Sequence, residues 1–313
     1  MREILGVPEI IEETRQIALQ RTRPGDKPGI NWVLSVLICF LLLLTGEFVG
    51  VVPAVAFFVI KAFSGSGSLD PNAVLSDNTF MIVSLYLLSL TTVVVCLYVK
   101  LLEKRKVRTL GFVKKRAVTH YLLGLLTGFA MFSGAVLICR LTGAITLHSN
   151  SNIDYLMIAV YFGGWIIQGM EEEVVCRGFL LTSLSRRYSV VVGVIVNSVV
   201  FAAMHLLNPG IGVLPFINLV LFGVFASLLF VKTGNIWFCS AVHTIWNCVQ
   251  GNFYGISVSG NLPMPSFFTS KFTSGQELFN GGAFGLEGGL GVTAVLALGC
   301  VILFFVHGQS DHQ

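Results

Sequence analysis

The chain has 313 residues, of which 54% are hydrophobic and only 12% are charged, and its mean hydropathy is +0.81. Soluble domains carry about 25% charged residues, so this composition excludes an ordinary water-soluble protein and indicates an integral membrane protein. The formal net charge is +4, and the basic residues lie between apolar segments rather than among exposed aromatic residues, which argues against nucleic-acid binding.

Apolar segments follow one another along nearly the whole chain. A helix that crosses a membrane needs about 20 mostly apolar residues. The segments that meet this requirement are 31–60, 79–100, 119–141, 153–180, 189–206, 212–232, 235–254 and 289–307. The sequence therefore predicts an all-α polytopic membrane protein with about eight transmembrane helices in one bundle. The expected organisation is a cytoplasmic N-terminal segment at 1–29, one transmembrane domain at 30–307 and a cytoplasmic tail at 308–313.

Lysine and arginine are distributed unevenly among the connecting segments. They concentrate before the first apolar segment, between the second and the third, and after the fourth, whereas the opposite connections at 61–78, 142–152 and 255–288 hold only Lys61 and Lys271. Cytoplasmic loops of membrane proteins carry an excess of positive charge. The pattern therefore predicts a multi-pass plasma-membrane protein with both termini in the cytoplasm. We expect the first apolar segment, which is too long for a cleavable signal peptide, to act as its own insertion signal.

The connection before the last apolar segment is longer than the others. It contains two prolines and a glycine-rich run from Gly281 to Gly289. No strand is expected before this run, so a phosphate-binding loop is not indicated. We expect a flexible or re-entrant cap on the outer side.

The fourth apolar segment contains the densest cluster of ionisable residues. A charged side chain at membrane depth is energetically expensive and marks a functional site by default. Glu173 and Arg177 are four residues apart and can pair along one helix face, whereas Glu172 projects roughly 100° away from Glu173. One carboxylate can therefore be held by the arginine while its neighbour faces elsewhere. Glu171 is an additional acid beside this pair.

The fifth and seventh segments contribute two histidines and an asparagine. His243 and Asn247 are four residues apart, so both can project into one cavity with His205. A desolvated glutamate can act as a general base near neutral pH, a histidine can orient the attacking water, and a histidine–asparagine pair can stabilise an oxyanion. The histidines together with Glu172 and Glu173 could instead bind zinc, although no HExxH motif is present.

The order and spacing of these residues resemble the three motifs of the CPBP family, which comprises CAAX proteases and bacteriocin-processing enzymes and includes type II CAAX prenyl endopeptidases. The matching motifs are Glu172-Glu173-x-x-x-Arg177, Phe201-x-x-x-His205 and His243-x-x-x-Asn247, within a core at 150–250. The run from Gly281 to Gly289 also resembles bacterial members of the family.

This resemblance implies an eight-helix intramembrane peptidase with its active site open to the cytoplasmic leaflet. Its functional residues map here onto a catalytic Glu172, a water-activating His205, a supporting Glu173–Arg177 pair and an oxyanion site of His243 and Asn247. The implied partners are the lipid bilayer and a membrane-associated peptide or protein substrate. The family has been described both as metal-dependent and as metal-free. We expect the metal-free glutamate mechanism, with zinc as the alternative, held by Glu172, Glu173, His205 and His243.

Two other classes of function remain open at this stage. A non-enzymatic bacteriocin-immunity or scaffolding protein of the same fold would keep the motifs, but its phenotype would survive Glu172→Gln. A secondary transporter would also place ionisable residues inside a helical bundle, but no inverted repeat is visible in the sequence. The sequence does not specify an oligomeric state.

Overall fold

Twelve helices and one two-stranded sheet form the described part of the chain. The structure is a computed structural model, and it describes residues 7–64, 78–260 and 264–305. The helices are α1 (Glu9–Leu19), α2 (Trp32–Phe63), α3 (Asn78–Leu87), α4 (Ser89–Leu101), α5 (Ala117–Leu141), α6 (Tyr155–Glu173), α7 (Thr182–Arg187), α8 (Val190–Ala203), α9 (Val213–Thr233), α10 (Trp237–Cys248), α11 (Glu277–Asn280) and α12 (Leu290–Phe305). The strands are β1 (Ile145–Ser149) and β2 (Phe268–Phe272), and π-helical turns extend α6 through Val174–Leu181 and α10 through Val249–Phe253.

The protein has the predicted all-α architecture of a polytopic membrane protein. Among the described residues, four helical stretches are long and apolar enough to cross a bilayer by length and composition, namely α2, the joined α3 and α4, α5 and α9. The helices α8 and α12 are apolar but shorter. Each of the eight predicted segments is helical, whereas eight membrane crossings and the cytoplasmic position of both termini stay predictions.

The outward faces of the long helices are apolar. Phe48 on α2 and Leu126 on α5 are each 68% exposed, and Leu298 on α12 is 60% exposed. Soluble monomers rarely expose large contiguous apolar patches. The acyl chains of lipid accommodate such apolar surfaces, and a helix can cross them because its backbone polar groups are satisfied internally. The buried residues concentrate instead on the second half of α6 and on α8, α9 and α10.

Helix α10 lies against α5 and α6 at close range because glycines face it. A Cβ atom at Gly128 of α5 would lie 2.8 Å from the carbonyl oxygen of Val242, and one at Gly169 of α6 would lie 2.8 Å from the backbone nitrogen of Thr244. Small residues let helix backbones approach in membrane proteins. Both contacts involve neighbours of His243, so they fix the position of this histidine relative to α6.

The long connection after α10 is a folded cap. Strands β1 and β2 pair antiparallel, with Ile145 opposite Phe272 and Ser149 opposite Phe268. Two 3-10 turns, Gly282–Phe284 and Leu286–Gly288, then lead into α12, and their phenylalanine and leucine are fully buried. The sequence does not indicate the two strands. Residues 261–263 of this predicted cap lie outside the described residues, as do 65–77 and the tail from 306.

The N-terminal helix α1 packs on α7. Ile10 and Ile11 of α1 are each 1% exposed. Arg108, which follows α4, pairs with Glu9 at 3.0 Å and with Glu13 at 2.9 Å. Helix α1 is therefore part of the folded body.

A buried ion-pair cluster lies beside α1, at the ends of α4 and α7. Glu103 contacts Arg105 and Arg186, each at 2.6 Å, and all three side chains are less than 10% exposed. Burial alone would raise the pKa of Glu103, but the two guanidinium groups outweigh this effect and hold the pKa below its usual value. Glu103 is therefore charged at neutral pH and joins the two helix ends.

Candidate active site

The structure brings the six predicted site residues into one contact network. Glu172 and Glu173 end α6 and Arg177 lies on the π-helical turn that follows. His205 lies in the turn after α8, and His243 and Asn247 lie on α10. Single-turn π-helical segments occur frequently at functional sites.

The predicted pairing of Glu173 with Arg177 is present, and it is fully buried. Arg177 Nη1 donates to Glu173 Oε1 at 2.9 Å, and both side chains are 0% exposed. Arg177 also donates to the carbonyl oxygen of Gly223 at 3.2 Å, and its guanidinium lies 4.7 Å from the ring centre of Phe201. The same carboxylate oxygen of Glu173 lies 3.0 Å from His243 Nδ1. Glu173 and Arg177 therefore hold His243 rather than face the cavity.

Glu172 faces two imidazole rings in the cavity wall. Its Oε2 atom lies 3.8 Å from His243 Nε2 and 4.0 Å from His205 Nε2. The Glu172 side chain is 15% exposed, whereas Glu173 is completely enclosed. Two adjacent carboxylates thus have different surroundings, as the helical geometry of the sequence predicts.

The hydrogen bonds at the Nδ1 atoms define what each histidine can do. His205 Nδ1 lies 2.9 Å from the carbonyl oxygen of Phe201, which can only accept, so this nitrogen carries the proton. A neutral His205 therefore presents the lone pair of Nε2 to Glu172. His243 lies between the two carboxylates, with Nδ1 3.0 Å from Glu173 Oε1 and Nε2 3.8 Å from Glu172 Oε2, so both ring nitrogens face acceptor groups.

Gln168 is a site residue that was not predicted from the sequence. It donates from Nε2 to Oε1 of Glu172 through a very short contact, and it accepts from Asn247 Nδ2 at 2.8 Å. The glutamine therefore orients Glu172 and connects it to Asn247. Its position four residues before Glu172 in an apolar helix is the signal that could have identified it.

The site residues line a partly open cavity of about 240 Å³. Gln168, Glu172, His205, His243 and Asn247 contribute to its wall, and most of the remaining wall is apolar or aromatic. Such a cavity, with a few polar groups in apolar surroundings, is the usual form of a small binding site.

Two further glutamates differ in their relation to this cavity. Glu171 is buried, but it is not among the cavity-lining residues. Glu287 does line the cavity, and it accepts hydrogen bonds from Trp246 Nε1 at 3.1 Å and from the backbone nitrogen of Ser259 at 2.9 Å. The sequence reading placed Glu287 in the cap without a role, because a glycine-rich run does not indicate a buried carboxylate.

The donor atoms are of the types that zinc accepts, but their spacing does not match a zinc site. Zinc lies about 2.0–2.2 Å from nitrogen and oxygen ligands, so tetrahedral ligand atoms are roughly 3.4 Å apart. The separations from Glu172 to His243 and His205 are 3.8 and 4.0 Å, and Glu173 is occupied by Arg177. Among the described residues, no group of three or more histidines, cysteines or acids is placed to hold a metal ion.

The spacing suits a water molecule instead. A water that hydrogen-bonds both Glu172 Oε2 and an imidazole Nε2 at about 2.8 Å would subtend an angle of roughly 90° between them. The 3.8 and 4.0 Å separations are consistent with this geometry. The arrangement can therefore hold a water between a carboxylate and a basic nitrogen.

Comparison with known proteins identifies one relationship. No curated protein and no solved structure matches the chain. A family model does match, over residues 154–249, which are just under a third of the chain and contain all six predicted site residues. This finding confirms the resemblance inferred from the motifs and supports the general class of CAAX-type intramembrane endopeptidases. The family to which residues 154–249 correspond is described as type II CAAX prenyl endopeptidase Rce1-like.

Proposed function

We propose that the protein is an intramembrane endopeptidase that hydrolyses a peptide bond in a membrane-associated peptide or protein. The observation that carries the proposal is the convergence of two imidazole Nε2 atoms on Glu172 Oε2, at 3.8 and 4.0 Å, in the wall of an apolar cavity. Water activation needs a base within reach of a held water. The family match supports the same class of reaction.

In the proposed reaction, Glu172 and His205 hold the attacking water. As the water oxygen bonds to the carbonyl carbon of the substrate, Glu172 takes one of its protons. The carbonyl oxygen becomes an oxyanion, which accepts hydrogen bonds from His243 Nε2–H and from the Asn247 amide. The carbon–nitrogen bond then breaks, and the proton on Glu172 moves to the departing amine nitrogen. The products are a carboxylic acid and an amine, so the step consumes one water.

The remaining site residues would hold the reacting groups in place. Glu173 holds the His243 ring through Nδ1, and Arg177 holds the carboxylate of Glu173 in place. Gln168 holds both Glu172 and Asn247 in the orientation that the reaction requires. We derive no step through a metal ion, because the donor separations exceed those of a tetrahedral zinc site.

The proposed setting is the plasma membrane, with both termini in the cytoplasm. The support is the distribution of lysine and arginine, which concentrates on one set of connections. Cysteine accessibility at positions in the N-terminal segment and in the β1–β2 cap would test this orientation. Labelling of both positions from the same side of intact cells would contradict it.

The decisive experiment compares peptide termini in cells with wild-type protein and with Glu172→Gln at equal membrane abundance. Mass spectrometry of new N- and C-termini is the readout, and Glu171→Gln is a matched control because this neighbouring carboxylate does not line the cavity. We expect new termini in wild type and in the control, and their loss in Glu172→Gln.

A chelator added to purified wild-type protein tests the metal-free mechanism. Cleavage that resists the chelator supports it, and cleavage that is lost and restored by zinc refutes it.

If the cells with wild-type protein, Glu172→Gln and Glu171→Gln all show identical peptide termini, the peptidase proposal fails. A phenotype that survives Glu172→Gln would then support an immunity or scaffolding protein.

A further inference from the structure

A groove on the flank of the bundle lies apart from the site cavity. It has a volume of about 670 Å³ and lies between α5, α9 and α12, with a lining that is mostly aliphatic and aromatic. Its walls include Leu123, Met131, Phe225, Leu298 and Leu303. None of the six site residues lines it.

Small residues form part of the groove lining. Ala130 and Gly134 of α5 and Gly299 of α12 contribute to its lining. A Cβ atom at Gly134 would meet only Val295, at 3.8 Å, which is ordinary van der Waals contact. The groove is therefore open enough beside Gly134 to admit a flexible apolar chain.

One end of the groove is basic. His120, Lys232 and Thr233 line both the groove and a polar pocket of about 610 Å³, so the two spaces are adjacent. This pocket also includes Lys115 and Arg116. It also includes Arg108, which pairs with Glu9 of the same lining and with Glu13. Among the described lining residues, four are basic and one is acidic, so this lining is net cationic.

The dimensions of the groove correspond to one leaflet of a bilayer. Along α5 it extends from His120 to Gly134, and fourteen residues of helix span roughly 21 Å. A bilayer is about 40–45 Å thick with its headgroup regions, of which about 30 Å is hydrocarbon, so one leaflet with its headgroups is roughly 20–22 Å thick. An acyl chain in the groove would place its headgroup at the level of Lys232 and the polar pocket.

We propose that this groove binds an anionic phospholipid, with one acyl chain between α5, α9 and α12 and the phosphate in the basic pocket. The apolar lining matches the chain, and the cationic pocket matches the phosphate. Basic residues at a membrane surface attract anionic lipids. A neutral lipid would fill the same groove but would not use the charge at its end. This proposal is independent of the peptidase reaction.

The test is native mass spectrometry of protein released from nanodiscs that contain equal amounts of phosphatidylglycerol and phosphatidylcholine. We expect wild-type protein to retain phosphatidylglycerol preferentially. Lys232→Gln should lower this retention by about fivefold. Gly134→Leu, which fills the groove without changing charge, should lower it as well. Lys271→Gln removes a lysine from β2 that lines neither the groove nor the basic pocket, and it should leave phosphatidylglycerol retention unchanged.

The controls make each outcome decisive. Detergent unfolding midpoints show whether a variant is folded, and Lys115→Gln replaces Lys232→Gln if the latter is not. Equal retention of the two lipids by wild type overturns the proposal. The proposal is also overturned if Lys232→Gln lowers phosphatidylglycerol retention, Gly134→Leu does not, and inorganic phosphate displaces the lipid. That result indicates a site for phosphate alone. If the released protein is a dimer that carries no lipid, the proposal is overturned, and a second copy of the chain covers the groove instead.

Discussion

Replacing Arg177 with methionine would test the buried charge pair that supports the site. Methionine preserves much of the apolar volume, but it leaves Glu173 in a fully enclosed position without its guanidinium partner. Breaking a buried pair by removing one partner costs about 3–5 kcal/mol. The substitution also removes the hydrogen bond to the Gly223 carbonyl, worth about 1 kcal/mol. His243 remains 3.0 Å from Glu173 and offsets part of the lost charge, so we expect a destabilisation of about 3–4 kcal/mol.

The double variant Glu173→Gln/Arg177→Met separates the free-energy cost of an unpaired buried charge from the cost of altered packing. Removing both charges leaves no isolated buried ion, so we expect most of the lost free energy to be regained, with a net cost of about 1–2 kcal/mol. The assay is equilibrium unfolding in mixed detergent, followed by tryptophan fluorescence. Arg140→Met on the exposed end of α5 is the control, and it should change the unfolding free energy by less than about 0.5 kcal/mol. A double variant less stable than Arg177→Met alone would refute the reasoning.

Two further predictions concern the contacts around the site. Gly169→Val should destabilise the fold by about 1–3 kcal/mol through overpacking against α10. It should also reduce cleavage more than Gly169→Ala because it displaces His243, and equal activity of the two folded variants would contradict this. Glu103→Gln should lower the unfolding free energy by about 3 kcal/mol at pH 7. Because the pKa of Glu103 lies below 4.5 in the folded protein, its stabilisation is complete above that pH and is lost below it. The difference between wild type and variant should therefore shrink as the pH falls below 4.5, and a constant difference down to acid unfolding would refute the assignment.

The helices were predictable because long apolar segments mark the positions of helices in a membrane protein. The first apolar segment was expected at 31–60 and the helix spans Trp32–Phe63, and the third was expected at 119–141 and spans Ala117–Leu141. A break at Leu88, which divides the second segment into α3 and α4, was not predicted. Long apolar runs determine where helices form, but a one-residue interruption in the helical pattern, with the Leu88 backbone still in the αR region, leaves no compositional signal.

The site was predictable as far as residue spacing determines which side chains share a helix face. Intervals of four residues correctly indicated that Glu173 meets Arg177. The bridging role of Gln168 and the cavity-lining position of Glu287 were missed. Both depend on which helices adjoin in space, and the sequence pattern of one segment does not contain that information.

The position of α1 has a consequence for the order in which the chain is assembled. Helix α1 leaves the ribosome long before its packing partner α7, and Arg187 donates to the carbonyl oxygens of Lys27 and Gly29 across 160 and 158 residues. At synthesis rates of about 5–20 residues per second, the first helix waits roughly 10–30 s for these partners. During that time Ile10 and Ile11 lack their final cover. Docking of α1 is therefore a late event in biogenesis, and it follows the synthesis of helix α6, which bears Glu172 and Glu173.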